Sequence, residues 1–121
     1  MSLEAKVLSG AADCIFCRIV SGEIAAQVVY EDKQTIAFND VNPVAPVHVL
    51  VIPRAHSPAV KAIDDAGLAA LLHSAHQVAA LKGVAESGYR LVFNLGDDGG
   101  QTVFHTHLHV LGGRRMTWPP G

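Results

Sequence analysis

The sequence predicts an α+β fold: a five-stranded antiparallel sheet covered by one long helix, with a short N-terminal helix ahead of it. Two observations carry that expectation. Only the stretch from Asp64 to Ala85 repeats apolar residues at helical spacing over several turns. Five shorter stretches are rich in β-branched or apolar residues, and turn-forming residues separate them. At 121 residues the chain is large enough for a single core without covalent staples.

Residues 1–12 mix small and polar side chains and read as a flexible lead-in, which leaves 13–121 as a single domain with 112–121 as its tail. Cys14 to Val20 suits a short helix, stopped by Ser21-Gly22. Val28 to Tyr30 and Thr35 to Asn39 read as strands, with Glu31-Asp32-Lys33 as the turn between them. Asp40 to Pro46 holds two prolines and an asparagine and is a loop. Val47 to Ile52 is apolar at most positions, a buried strand ended by Pro53, and Pro58 lies in the connection that follows. On the long helix Leu68, Leu71, Leu72, Ala75, Val78, Ala79 and Lys82 form the buried stripe, and Asp64 or Asp65 caps its start. Tyr89 to Asn94 and Val103 to Leu111 are the last strands, joined by the loop Leu95 to Thr102. The tail from Met116 to Gly121 carries two prolines, so it is neither helix nor central strand. Its lone Trp118 is expected to dock, on this domain or on a partner, and so to help cover the sheet face opposite the helix.

Hydrophobic residues make up 50% of the chain and charged ones 17%, the profile of an ordinary globular protein. A net charge of −2 argues against a nucleic-acid partner, and Arg114-Arg115 is the only adjacent basic pair. No apolar run approaches the roughly 18 residues of a membrane span, and residues 1–12 lack the core of a signal peptide. The expectation is a cytoplasmic protein without a membrane partner, in which Cys14 and Cys17 stay reduced unless metal-bound.

His105-Thr106-His107-Leu108-His109 holds three of the seven histidines at strict alternation. In a strand the three imidazoles would line one face at intervals of roughly 6–7 Å, with Thr106, Leu108 and Val110 on the other. Imidazole serves as base, acid, nucleophile or metal ligand near neutral pH, so the row reads as an active site or a metal site. The loop from Gly96 to Thr102 precedes it, and its glycines could cradle a phosphate. Asn94 could add an amide donor; its bland role is to bond its own turn. Cys14-x-x-Cys17 has the spacing of half a tetrahedral zinc site, of a redox pair, or of two buried cysteines. His73 and His76 share a helix face with no third ligand, and read as solvated.

From His105 to Leu111 the sequence resembles the signature of the histidine triad (HIT) superfamily, and Gly112 to Gly121 is similar to the tail of its Hint branch. Asp13-Cys14-Ile15-Phe16-Cys17, Ala37-Phe38-Asn39-Asp40 and the run from Pro46 to His56 extend the likeness across most of the chain. Thr106 departs from the signature, which has an apolar residue there, and little effect on the chemistry is expected from it.

The resemblance implies a hydrolase of purine nucleoside 5′-phosphoramidates and related adenylates, releasing the nucleoside monophosphate. His107 would be the nucleophile that carries a covalent nucleotidyl group. His109 would bond phosphate oxygens or help protonate the leaving group, and His48 would help fix the tautomer of His107. Asn94, Gly100, Gln101 and Thr102 would stabilise the phosphate with His109. Asp40 would accept the ribose hydroxyls, and Phe16, Ile19, Ile24 and Phe38 would hold the base of an AMP or GMP derivative. Cys14, Cys17, His56 and His105 would hold structural Zn²⁺, and no organic cofactor is implied. A homodimer is implied, its sheet extended across the two-fold axis, with Trp118 of the tail near the partner's pocket. The same motifs allow a dinucleoside polyphosphate hydrolase or nucleotidyltransferase, and a non-catalytic purine-nucleotide-binding scaffold. The tail favours phosphoramidate chemistry over the former, and the full set of histidines favours catalysis over the latter.

Overall fold

A computed structural model describes residues 13–121, so the lead-in expected over 1–12 lies outside the described residues. Helix α1, Ile15–Val20, starts at Cys14, whose Sγ accepts the Cys17 amide at 3.3 Å, and Ser21 caps its end. Strands β1, Val28–Glu31, and β2, Thr35–Asn39, turn about Asp32. One carboxylate oxygen of Asp32 accepts from the Gln34 and Thr35 amides and from Thr35 Oγ1, at 2.8–3.1 Å. The other oxygen accepts from Tyr30 and Ser74, which ties the hairpin to the long helix.

Strand β3, Val47–Pro53, is buried along its whole length because both its faces are covered. Helix α2, Asp65–Leu81, follows a 3₁₀ turn at Val60–Ala62 and is capped by Asp64, which accepts the Gly67 amide at 2.7 Å. It ends four residues short of the expected Ala85, since Gly83 takes a φ of +76° that L side chains rarely adopt. Its buried stripe is Leu71, Ser74, Ala75, Val78 and Ala79. Ser74, not Leu72, completes that stripe, because its hydroxyl lies 2.6 Å from Thr35 Oγ1. His76 is exposed as expected, and its Nδ1 is also hydrogen-bonded to the Tyr89 hydroxyl.

Strands β4, Tyr89–Phe93, and β5, Leu108–Gly112, complete an antiparallel sheet of order β1-β2-β3-β5-β4. On one face Val47, Val49, Val51, Leu108 and Val110 pack on Leu71, Ala75, Val78 and Ala79 of α2. On the other, Ile36, Phe38, Leu50 and Ile52 pack on Cys14 and Phe16. Helix α1 therefore covers much of the face that the sequence left open. The tail does not: Trp118 is 81% exposed on the single chain. Among the described residues no helix is long and apolar enough to cross a membrane.

The strand predicted from Val103 begins only at Leu108, so His105 and His107 precede it. The β3–β5 register runs from Val47↔Gly112 to Val51↔Leu108. Two residues further along β3 stands Pro53, which has no N–H to extend the ladder. The Thr106 amide instead donates to the Ser57 carbonyl at 2.6 Å.

Candidate active site

With the backbone bent ahead of β5, the three histidines do not share one environment. His107 and His109 face a cleft of about 820 Å³ walled by α1, the end of β2 and residues 102–103. Phe16, Ile19, Ile24 and Phe38 line its apolar side, and Asp40 and Thr102 stand on its rim. Phe16 sets its edge against His107, with ring centroids 5.2 Å apart. His105 is fully buried and turns away toward the cysteines.

The His107 Nδ1 lies 2.8 Å from the His105 carbonyl. A carbonyl only accepts, so Nδ1 carries the hydrogen and Nε2 keeps its lone pair. Burial lowers the His107 pKa against the opposing pull of that carbonyl and of Asp40, which holds the ring neutral. A neutral imidazole with one committed nitrogen is a prepared nucleophile.

Backbone geometry also orders the protons behind it. The Val44 amide donates to His48 Nδ1 at 3.1 Å, so neutral His48 carries its hydrogen on Nε2. That atom lies 2.9 Å from His109 Nδ1 and 3.3 Å from Asp40 Oδ2. His109 Nδ1 is thus an acceptor, and its own hydrogen sits on Nε2, where the Asn94 amide approaches to 3.4 Å. The atom placed there is Asn94 Nδ2, and the His109 hydrogen calls for the amide turned over so that its oxygen accepts. Burial, reinforced by the neighbouring His107 and His48, pushes His109 down to about 4. Burial lowers His48 as well, with Asp40 opposing. Asp40, His48 and His109 bring their donor atoms within 4.8 Å of one another. The hydrogen on His48 Nε2 makes this trio a proton network and not a cation cage.

The loop ahead of the histidines departs from its expected role. Gly100 gives its amide to Asp97 and Gln101 to Gly96, both at 3.0 Å, so these two donors close the turn. The Gln101 side chain accepts from the Gly96 amide and donates to the carbonyls of Pro58 and Val103. Both ends of its amide are spent on the loop, so Gln101 shapes the cleft without lining it, and Gly100 stands with it. Thr102 is the residue of that loop which reaches the rim. The Val44 amide is a site group that sequence reasoning missed, and no signal could have found it: any residue there but proline would supply the same N–H.

Behind the cleft Cys14, Cys17, His56 and His105 gather four donor atoms within 4.8 Å. Cys14 Sγ lies 3.2 Å from His105 Nδ1, and Cys17 Sγ lies 3.3 and 3.4 Å from the Nδ1 atoms of His56 and His105. Tetrahedral zinc with bonds of about 2.0–2.3 Å separates its ligands by about 3.3–3.8 Å, so the spacing fits. The far nitrogen of His105 donates to the Pro53 carbonyl at 2.9 Å, which leaves its Nδ1 lone pair on the cysteines. Both cysteines are free thiols. Burial and Cys14 push Cys17 up to about 11, and burial pushes His105 down to about 4. Burial lowers His56 too. A divalent cation would reverse that balance at the thiols and take up the neutral imidazoles as they stand.

The likeness to known proteins agrees with this arrangement. The model of the HIT domain matches residues 21–116. An uncharacterised HIT-like protein of Synechocystis is 53% identical over 114 residues, 92% of this chain and 99% of that one. The crystal structure of a HIT family hydrolase from Legionella pneumophila matches with a TM-score of 0.86 at 51% identity, over 90% of this chain and 100% of that one. A histidine triad nucleotide-binding protein from Candida albicans matches with a TM-score of 0.79 at 31% identity, over 88% and 83% of the two chains.

Proposed function

This chain belongs to the HIT family, and we propose that it hydrolyses purine nucleoside 5′-phosphoramidates and related adenylates. The observation that carries the reading is the His107 tautomer, fixed by the His105 carbonyl so that a neutral Nε2 is presented to the cleft. The base lies against Phe16, Ile19, Ile24 and Phe38, and Asp40 at the rim accepts the ribose hydroxyls. That places the α-phosphate beside His107, with Thr102 and His109 as donors.

The His107 Nε2 pair forms a bond to phosphorus as the substrate P–N bond breaks. The amine departs with a proton from solvent while the His109 Nε2–H bonds a phosphate oxygen and positive charge develops on His107, whose ring centroid is 5.1 Å away. Water then attacks phosphorus, and its proton returns to solvent. The P–Nε2 bond breaks, its electron pair goes back to His107, and the monophosphate leaves. His48 holds the acceptor side of His109, so His109 keeps its hydrogen turned toward the phosphate.

Zinc at Cys14, Cys17, His56 and His105 would supply a structural tie between α1 and the segment that carries the nucleophile. The same proposal includes a homodimer in a reducing, cytoplasmic setting. Strand β4 is a sheet edge, and Leu72 and Leu81 of α2 are exposed. A two-fold pairing covers them and leaves Trp118 free to reach the partner's cleft. Turnover of adenosine 5′-phosphoramidate compared with a diadenosine polyphosphate tests the reading. Preference for the first supports it, and preference for the second assigns the chain to polyphosphate chemistry. Tight AMP binding with turnover of neither makes it a nucleotide-binding scaffold.

A further inference from the structure

The loop after β3 and the segment entering β5 meet at Ser57 and Thr106. The Thr106 amide lies 2.6 Å from the Ser57 carbonyl, and its hydroxyl lies 3.0 Å from the same oxygen and 3.1 Å from Ser57 Oγ. The Ser57 hydroxyl donates to the Ala59 carbonyl at 3.3 Å, so its oxygen is free to accept from Thr106. Thr106 is 2% exposed, and an apolar residue would bury as easily. The neighbours of this contact give it meaning. Ser57 follows His56, and Thr106 stands between His105 and His107.

We propose that Ser57 and Thr106 are positioning residues, a hydroxyl clamp that sets the metal donors and the nucleophile in one arrangement. The amide bond alone would leave the Ser57 peptide free to pivot about a single contact. The hydroxyl adds a second contact from a side chain that is stiff at χ1. With both in place, His56 and His105 present their Nδ1 atoms to Cys17 at 3.3 and 3.4 Å. The same placement aims the His105 carbonyl at His107 Nδ1. Neither hydroxyl lines the cleft, so the clamp acts through its neighbours and not on substrate.

The inference rests on the phosphoramidase reading for its kinetic arm and on the zinc reading for its metal arm. Thr106→Val keeps the shape of the side chain and removes the hydroxyl, and Thr106→Ser restores it. Zinc affinity of the full chain is measured by competition with a chromophoric chelator, and kcat and KM with adenosine 5′-phosphoramidate. Thr106→Val should lose about five- to tenfold in zinc affinity and in kcat, the worth of one buried hydrogen bond. KM should stay within about twofold, and Thr106→Ser should recover most of both losses. Ser57→Ala carries the same test if Thr106→Val does not fold, with losses of about two- to threefold. A folded Thr106→Val with wild-type zinc affinity and kcat overturns the clamp, and so does a loss in one without the other. A wild type that turns over no phosphoramidate refutes the earlier reading, and the zinc arm then decides the clamp alone. If the wild type binds no zinc, the kinetic arm decides it.

Discussion

The burial of His109 should make the stability of this protein fall in acid, by an amount that one substitution isolates. The unfolded ring titrates near 6.5, and the folded one is pushed down to about 4 by burial and by His107 and His48. The folded pKa is the lower of the two, so the unfolded chain takes up the proton first as pH falls. Stability is therefore full above about 6.5, declines toward 4, and levels off below. At 1.36 kcal/mol per pH unit, a fall from 6.5 to about 4 is worth about 3.4 kcal/mol. Part of the ring faces the cleft and its solvent, and screening there leaves about 2 kcal/mol.

The assay is urea unfolding of the wild type and His109→Gln at pH 7.5, 5.5 and 4.5. The other buried histidines and the zinc donors titrate in both proteins and largely cancel in the difference. Between pH 7.5 and 4.5 the wild type should lose about 2 kcal/mol more than the variant, which shifts its midpoint by about 1 M urea at unchanged slope. Equal losses in the two proteins would refute the desolvation of His109. They would remove with it the argument that a neutral His109 presents its Nε2–H as a hydrogen-bond donor to the phosphate.

Four further outcomes follow from the site. His107→Ala should lower kcat for adenosine 5′-phosphoramidate by at least about 10³-fold while AMP still binds, and wild-type-like turnover would end the covalent mechanism. The acid limb of kcat/KM should lie below pH 6.5, because burial lowers the His107 pKa and only the neutral ring attacks; a limb above 6.5 would contradict it. Purified protein should carry about one zinc per chain, and chelation should lower Tm by at least about 5 °C, since assembly of the donors is coupled to folding. Sedimentation should show a dimer at micromolar concentration, and truncation after Gly113 should alter leaving-group preference more than attack by His107; a monomer, or an unchanged preference, would count against the shared site.

The periodicities in the sequence were sound guides wherever packing decides the structure. Val47, Val49 and Val51 alternate onto α2, while Leu50 and Ile52 face Cys14 and Phe16. The same alternation misled at the histidines, because period two belongs to any extended chain and not only to a paired one. Whether His105 and His107 join the ladder depends on Pro53, which is remote in sequence and opposite in space. Polar residues were read less well for a related reason. Ser74 looks wrong for a buried stripe until Asp32 and Thr35 are set against it. Gln101 has the chemistry of a phosphate ligand, yet its amide is taken up by three backbone groups of its own loop and the one beside it.

The proton order of the site is the part that sequence could least disclose. A row of imidazoles says that proton transfer is available, and it does not say which nitrogen donates. In this protein two main-chain groups settle the matter. The His105 carbonyl makes His107 Nδ1 a donor and frees Nε2 for attack. The Val44 amide makes His48 Nδ1 an acceptor, and through His48 it places the His109 hydrogen on Nε2. Neither group depends on the side chain at its position, so no motif records it. Each depends on where the backbone bends: Val44 in the loop before β3, and His105 in the segment that Pro53 keeps out of the sheet. The attacking nitrogen and the phosphate-bonding N–H of the proposed reaction are thus told apart by backbone geometry, although both belong to histidines two residues apart.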